Sequence, residues 1–286
     1  MKIFYMFMLL CFCTNALYCQ IPIKKFVCDS QTHEGVPFVT IKVLNKPLGT
    51  WSDEMGWFNL PLQINDSLLV TCVGYYSKVV NADNDSIFLN QHVIVIDEID
   101  VHPHKNKECI LGYANSKSEK APIPFITNGK KASFTEMVSL IEIPDNFKLY
   151  KINGILMMVE NPNGKPLARL HIYKPDSNGL PGEEILTEDI IINYHIKRNK
   201  IDLSHLQLFS TERNLFVGFE FLVTDLQKFA GISKNAIKFC FTNSLIKNFT
   251  YVRTILSEKY TWRPIFTRSA ENHVTPNNLM VSLIIE

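Results

Sequence analysis

Apolar and polar residues alternate with a period of two along much of this chain. Val39, Ile41 and Val43 are apolar while Thr40 and Lys42 between them are polar, the signature of a half-buried strand. Ser52-Asp53-Glu54-Met55-Gly56 interrupts the pattern with acidic side chains that can cap their own backbone and a glycine that tolerates positive φ. Trp57, Phe58 and Leu60 resume it. Leu68 to Val73, closed by Gly74, then Ile87 to Leu89 and Val93 to Ile96 follow as further short β runs. Strands this short at regular spacing predict a β-sandwich.

The second half carries the same signal. Ile152 to Val159, Arg169 to Tyr173, Leu215 to Phe221, Ala236 to Phe241 and Leu279 to Ile285 are rich in Ile, Val, Phe and Leu. Within Arg169-Leu170-His171-Ile172-Tyr173, Leu170 and Ile172 are predicted on one face, and Arg169, His171 and Tyr173 on the other. Asn161 to Gly164 and Pro175 to Gly182 are turn signals. Two short helices are expected, around Thr135 to Ile141 and Asp225 to Ala230. Between the halves, the stretch from His102 to about Lys131 is rich in Lys, Ser, Asn and Pro and reads as a linker, with one short apolar stop at Cys109 to Tyr113. The expected architecture is all-β, with one sandwich over 20–101, a linker over 102–131 and a jelly-roll-like sandwich over 132–286.

Charge narrows the functional classes. Lysine plus arginine (29) nearly cancels aspartate plus glutamate (28), so no strong field points to nucleic acid or acidic lipid. Hydrophobic residues make up 46% and charged residues 20%, a globular composition. Residues 1–19 read as a secretory signal: Lys2 supplies positive charge, and Ile3 to Phe12 is apolar but too short to span a bilayer. Cleavage before Gln20 is expected, giving an exported protein of the periplasm, outer membrane or extracellular space. The alternative is a lipoprotein anchored through Cys19, against which Tyr18 stands where a small residue is wanted. No later apolar stretch reaches transmembrane length. Cys28 and Cys72 fall on separate strands, which leaves open a disulfide or two buried thiols.

The first half resembles a known family. Its motifs are Asp29 with Thr32, Pro37 before a β run, Asp53 with Gly56 and Phe58, Gly74 with Tyr75, and Ile96-Asp97-Glu98-Ile99-Asp100-Val101 at the end. These are similar to the carboxypeptidase regulatory-like domain, a transthyretin-like sandwich common in secreted proteins and outer-membrane receptors of the Bacteroidota. The glycine of that family's opening strand is absent, with Lys25 or a neighbour in its place. The second half, in RLHIYKPDSNGLPGEEIL, KIDLSHLQL and LFVGFEFL, looks like the domain that follows such modules in uncharacterised Bacteroidota proteins. The resemblance implies a scaffold and no activity.

Catalytic and metal constellations are weak. His102, His104, Glu108 and Cys109 hold ligand types for zinc or copper but read better as a polar linker. Asp202, Ser204 and His205 supply the residue types of a hydrolase triad without a nucleophile elbow. Glu183-Glu184 and Glu188-Asp189 read as a solvated acidic loop rather than a glycosidase pair. Asp176-Ser177-Asn178-Gly179 opens like a calcium loop, but the position for its bidentate glutamate is Thr187. No catalytic residue, cofactor or metal site is therefore assigned, a structural calcium in the jelly roll remaining the one open option. Asp66-Ser67-Leu68 and Asp85-Ser86-Ile87 resemble short O-glycosylation motifs of exported Bacteroidota proteins and also suit turn capping.

Aromatic and arginine residues supply the binding candidates. Sugar-binding jelly rolls present rings on which a pyranose face stacks. Tyr260 and Trp262 alternate and would share a face, with Arg263, Arg253 and Tyr173 as further candidates. The function read from the sequence is a non-catalytic cell-envelope protein binding a protein or glycan partner. Two alternatives stand beside it: an envelope-polymer hydrolase, which requires a deep pocket with perturbed titratable groups, and an accessory subunit of an outer-membrane transporter.

Overall fold

The computed structural model describes residues 23–63, 65–92, 107–114, 120–124, 135–160, 167–193, 198–222, 238–242, 249–257, 261–268, 274–276 and 278–286. The fold is all-β. The first sandwich is made of β1 (Ile23–Asp29), β2 (Thr40–Val43), β3 (Gly49–Trp51), β4 (Trp57–Leu60), β5 (Ser67–Thr71), β6 (Lys78–Asn81) and β7 (Ser86–Leu89). They form a three-stranded sheet, β4-β1-β7, and a four-stranded sheet, β3-β2-β5-β6. Val27, Ile41, Val43, Phe58, Leu60, Leu68, Val70, Ile87 and Leu89 meet between the two sheets.

Local chemistry sets the turns. Asp53 Oδ1 accepts the amides of Met55 and Trp57, and Gly56 takes φ of 84° at the close of that turn. Asp29 Oδ1 accepts the amides of Gln31 and Thr32, while the Tyr75 hydroxyl donates to Oδ2 of the same carboxylate at 3.2 Å. Two motifs well separated in sequence thus lock together.

The second sandwich begins inside the segment read as a linker. Its strands are β8 (Cys109–Gly112), β9 (Lys120–Pro124), β10 (Thr135–Glu142), β11 (Tyr150–Glu160), β12 (Leu167–Pro175), β13 (Pro181–Glu184), β14 (Ile191–Asn193), β15 (Arg198–Asp202), β16 (Leu208–Ser210), β17 (Asn214–Leu222), β18 (Lys238–Thr242), β19 (Thr250–Thr254), β20 (Arg263–Pro264), β21 (Phe266–Arg268), β22 (Val274–Pro276), β23 (Asn278–Leu279) and β24 (Val281–Ile285). One sheet runs β13-β12-β17-β10-β19-β20, with β14 also pairing β12. The facing sheet is centred on β11 and β24, to which β8 adds an edge, while β9 pairs with β18. Ile152, Ile155, Leu170, Ile172, Val217, Phe219, Val281 and Leu283 fill the space between them.

Thr135 to Ile141 is a strand, not the expected short helix. Met137 and Ile141 have helical spacing, but β10 lies between β17 and β19 and is covered on both faces, so the polar alternation that marks a half-exposed strand is lost. The second expected helix, Asp225 to Ala230, lies outside the described residues, as do the strand expected at Val93 to Ile96 and the turn at Asn161 to Gly164.

The sheet containing β2 and β5 faces the outer side of the β12-β17-β10-β19 sheet. Phe38 and Trp51 of the first sandwich pack with Leu222 and Ile255 of the second. The Lys42 ammonium donates to the Ser257 carbonyl at 3.0 Å. The two sandwiches therefore meet through a buried face.

Candidate functional site

Strand register builds a row of four charged side chains across four adjacent strands. Arg169 on β12 is opposite Glu220 on β17, Glu220 is opposite Glu136 on β10, and Glu136 is opposite Arg253 on β19. All four project from the face turned toward the first sandwich. Leu170 and Ile172 on β12, and Val217, Phe219 and Phe221 on β17, project the other way into the core. The split of Arg169, His171 and Tyr173 from Leu170 and Ile172 is the one expected from alternation.

Arg169 is the anchor. Its Nε donates to Asp189 Oδ1 at 2.7 Å, and Nη2 donates to Asp189 Oδ2 and to the Phe38 carbonyl. Nη1 donates to Glu220 Oε2 at 2.7 Å and to the Thr40 hydroxyl at 3.1 Å. All five guanidinium N–H groups are thus used. Glu220 Oε1 accepts from the Thr40 hydroxyl and from the Trp51 indole N–H, each at 3.1 Å. Two of the residues satisfying this buried pair, Thr40 and Trp51, come from the first sandwich. A buried ion pair is tolerated only when its remaining donors and acceptors are met in this way.

His171 bridges the row to the carboxylate of Glu184, the last residue of β13. Its Nδ1 lies 2.6 Å from Glu184 Oε2, and Nε2 lies 3.6 Å from Glu220 Oε2, too far for a hydrogen bond. Burial opposes charge on the ring, but the carboxylates of Glu136, Glu184 and Glu220 prevail and push its pKa up to about 10. For Glu220, burial again opposes charge, and Arg169 with His171 overcomes it, lowering the pKa to about 2. Burial drives the neighbouring Cys72 thiol strongly upward, so it stays protonated and donates toward Asp189 Oδ2 at 3.7 Å.

A cavity of about 340 Å³ opens beside this network. Thr40, Lys42 and Thr71 line it from the first sandwich, and Glu136, His171 and Arg253 from the second. Its volume lies at the low end of small-ligand sites, about 300–1,000 Å³. Two buried side-chain atoms among the described residues have no hydrogen-bond partner, Glu136 Oε1 and His171 Nε2. Both belong to residues that line this cavity.

Three of the five candidate binding residues come together. The Arg253 guanidinium lies 4.3 Å from the Trp262 ring centre and 5.6 Å from that of Tyr173, and Nη2 donates to the Tyr173 hydroxyl at 3.1 Å. Its Nε donates to Glu136 Oε2 at 2.7 Å. Tyr173 stacks on His171 with centroids 5.3 Å apart and meets Trp262 edge-on at 6.1 Å. Tyr173 and Arg253 line the cavity, whereas Arg263 stands exposed on the edge strand β20. Tyr260 lies outside the described residues.

The acidic loop departs from expectation. Glu183 and Glu188 are exposed, but Glu184 and Asp189 turn inward, because the buried cations Arg169 and His171 on β12 supply better partners than their flanking sequence suggests. Asp202 accepts the Ser204 amide at 3.0 Å, and exposed His205 faces Glu188 at 3.7 Å, so the triad-type residues form a surface turn. Asp176 Oδ1 accepts the amides of Asn178 and Leu180. Cys28 and Cys72 are free thiols, Cys28 donating to the Ile87 carbonyl. His102 and His104 lie outside the described residues. No group of three or more potential metal ligands occurs among the described residues, and none of their helices is long and apolar enough to cross a membrane.

Sequence reasoning misses Glu136 and Glu220. Glu220 does leave a signal, a lone carboxylate inside the apolar run Leu215 to Leu222. Glu136 is hidden by the helical reading of its segment. No family model matches the chain, and no curated protein matches it.

Proposed function

We propose that this chain is an exported, non-catalytic binding protein of the cell envelope that takes its partner in the cavity between the two sandwiches. The single observation carrying the reading is a cavity of about 340 Å³ lined by polar side chains of both sandwiches, among them Lys42, Thr71, Tyr173 and Arg253. The N-terminal signal pattern supports export. The Asp29–Tyr75 hydrogen bond supports assigning the first sandwich to the carboxypeptidase regulatory-like group.

The hydrolase alternative has the cavity in its favour and the charge states against it. A general acid or base works best with a pKa near the working pH. His171 at about 10 and Glu220 at about 2 are both driven away from neutrality. Such shifts fix charges in place, as a binding frame requires.

The test is a melting-temperature screen of the full chain against monosaccharides, oligosaccharides, amino acids, dipeptides and inorganic phosphate. A shift with at least one class, reduced by substitutions at cavity residues, is expected. Binding that ignores every cavity substitution would move the site elsewhere and refute the reading.

A further inference from the structure

The sheet that walls the cavity on the first-sandwich side ends in an open edge. β6 is the last strand of β3-β2-β5-β6 among the described strands. The Ala82 amide donates to the Asp66 carbonyl, which sets the phase of the β5–β6 ladder. Lys78 and Val80 therefore turn their main-chain groups toward β5, and Val79 turns its N–H and C=O toward the outer side. Val79 is also 58% exposed, an apolar side chain on that edge. Edges of this kind are commonly blunted by proline, by lysine or by a covering segment. β9 carries Pro122 and Pro124, β20 carries Pro264, and Gly49 on β3 lies against Leu256. β6 has Lys78, but its ammonium is drawn back to the Phe88 carbonyl at 3.2 Å.

The edge and the cavity share one face. Leu69 and Thr71 on β5 line the cavity, and Leu69 is opposite Val79. Exposed Ser77, just before β6, lines the cavity as well. Ser77, Val79 and Asn81 thus point to the cavity side, and a strand laid against β6 turns alternate side chains the same way. The same sheet makes the buried contact with the second sandwich through Lys42 and Trp51. An added strand therefore extends an existing interface.

We infer that β6 accepts an extended peptide segment of a partner protein as a further strand, with the peptide side chain opposite Ser77 entering the cavity. The inference rests on the cavity being a binding site, as proposed above. In this mode main-chain hydrogen bonds supply affinity, and a pocket for alternate side chains supplies selectivity. A second copy of this chain fits the site less well. Antiparallel pairing of β6 with β6 offers only Ser77, Val79 and Asn81 on that face, side chains too short to fill a cavity of about 340 Å³.

Fluorescence polarisation on the full chain tests this with a positional-scanning library of fluorescein-labelled heptapeptides. Binding is expected, with one position preferring long side chains over glycine by about tenfold or more. In the selected peptide, methylating the main-chain nitrogens that face β6 should abolish binding, while methylating the alternate ones should be tolerated. Val79→Pro removes the outward N–H without touching the bonds to β5, a placement edge strands accept. It should abolish binding and leave the circular dichroism spectrum unchanged. Thr71→Phe, which fills the cavity, should level the preference at the selective position. Binding indifferent to both Val79→Pro and methylation overturns strand addition and leaves the cavity reading standing. Binding indifferent to Thr71→Phe overturns the cavity reading. A dimer that Val79→Pro dissociates, with no peptide bound, assigns the edge to a second copy and overturns the inference, as does the absence of any peptide binding.

Discussion

Glu220 on β17 and Glu136 on β10 lie directly opposite each other in adjacent antiparallel strands, and both are almost wholly buried. Like charges in that relationship repel. The arrangement holds because Arg169 flanks the pair on one side and Arg253 on the other, in the same cross-strand row. His171, one step along β12 from that row, leans toward both carboxylates.

Removing Arg169 is expected to be severe. Arg169→Ala strands Glu220 and Asp189 without their cation, and breaking a buried pair typically costs about 3–5 kcal/mol. Urea denaturation should show this, and Arg169→Met with Glu220→Met should recover part of the loss. A double variant less stable than either single would contradict the account. Arg169→Lys should not rescue, since one ammonium cannot reach five acceptors.

Stability should fall on both sides of a plateau in pH. Glu220 has a folded pKa lowered to about 2 from 4.5, so its contribution is present above 4.5 and disappears as pH drops through about 2. His171 has a folded pKa raised to about 10 from 6.5, so its contribution is full below 6.5 and disappears as pH rises through about 10. Denaturation across this range should show the alkaline arm flattened by His171→Gln and the acid arm by Glu220→Gln. An unchanged profile in both variants would refute the assignment.

Gly218 separates the Arg169–Glu220 row from the aromatic row above it. A Cβ there would collide with the Met137 carbonyl oxygen on the neighbouring strand. Gly218→Ala should therefore destabilise the protein by about 1–3 kcal/mol or more, as overpacking does. A neutral effect in thermal unfolding would mean that β10 and β17 separate more freely than their register implies.

Thiol chemistry should report burial. Cys28, Cys72 and Cys240 are buried, whereas Cys109 is only partly so. Native-state alkylation with iodoacetamide, mapped by mass spectrometry, should modify Cys109 first and the other three only after unfolding. A Cys28–Cys72 crosslink in the same maps would contradict the free thiols.

Much of the frame is legible in the chain itself. Alternation places Arg169, His171 and Tyr173 on one face, and the turn at Asp53 to Gly56 forms where capping chemistry requires it. Tyr173, Trp262 and Arg253 are binding candidates on residue type alone, and they do converge. Glu136 escapes notice because a strand covered on both faces loses its polar alternation. Glu184 and Asp189 read as solvated because an acidic loop looks the same whether or not buried cations wait beside it.

By itself, the sequence determined the class of structure: period-two patterning and turn residues depend on neighbours a few positions away, and those are written in the chain. Only the tertiary structure decided where the charges went. Arg169, Glu220, Glu136 and Arg253 become one row through strand register, and Thr40 and Trp51 join them through contact between two sandwiches. Pairings between residues so distant in sequence leave no local periodicity. Their energy comes from burial, which exists only once both sheets are in place.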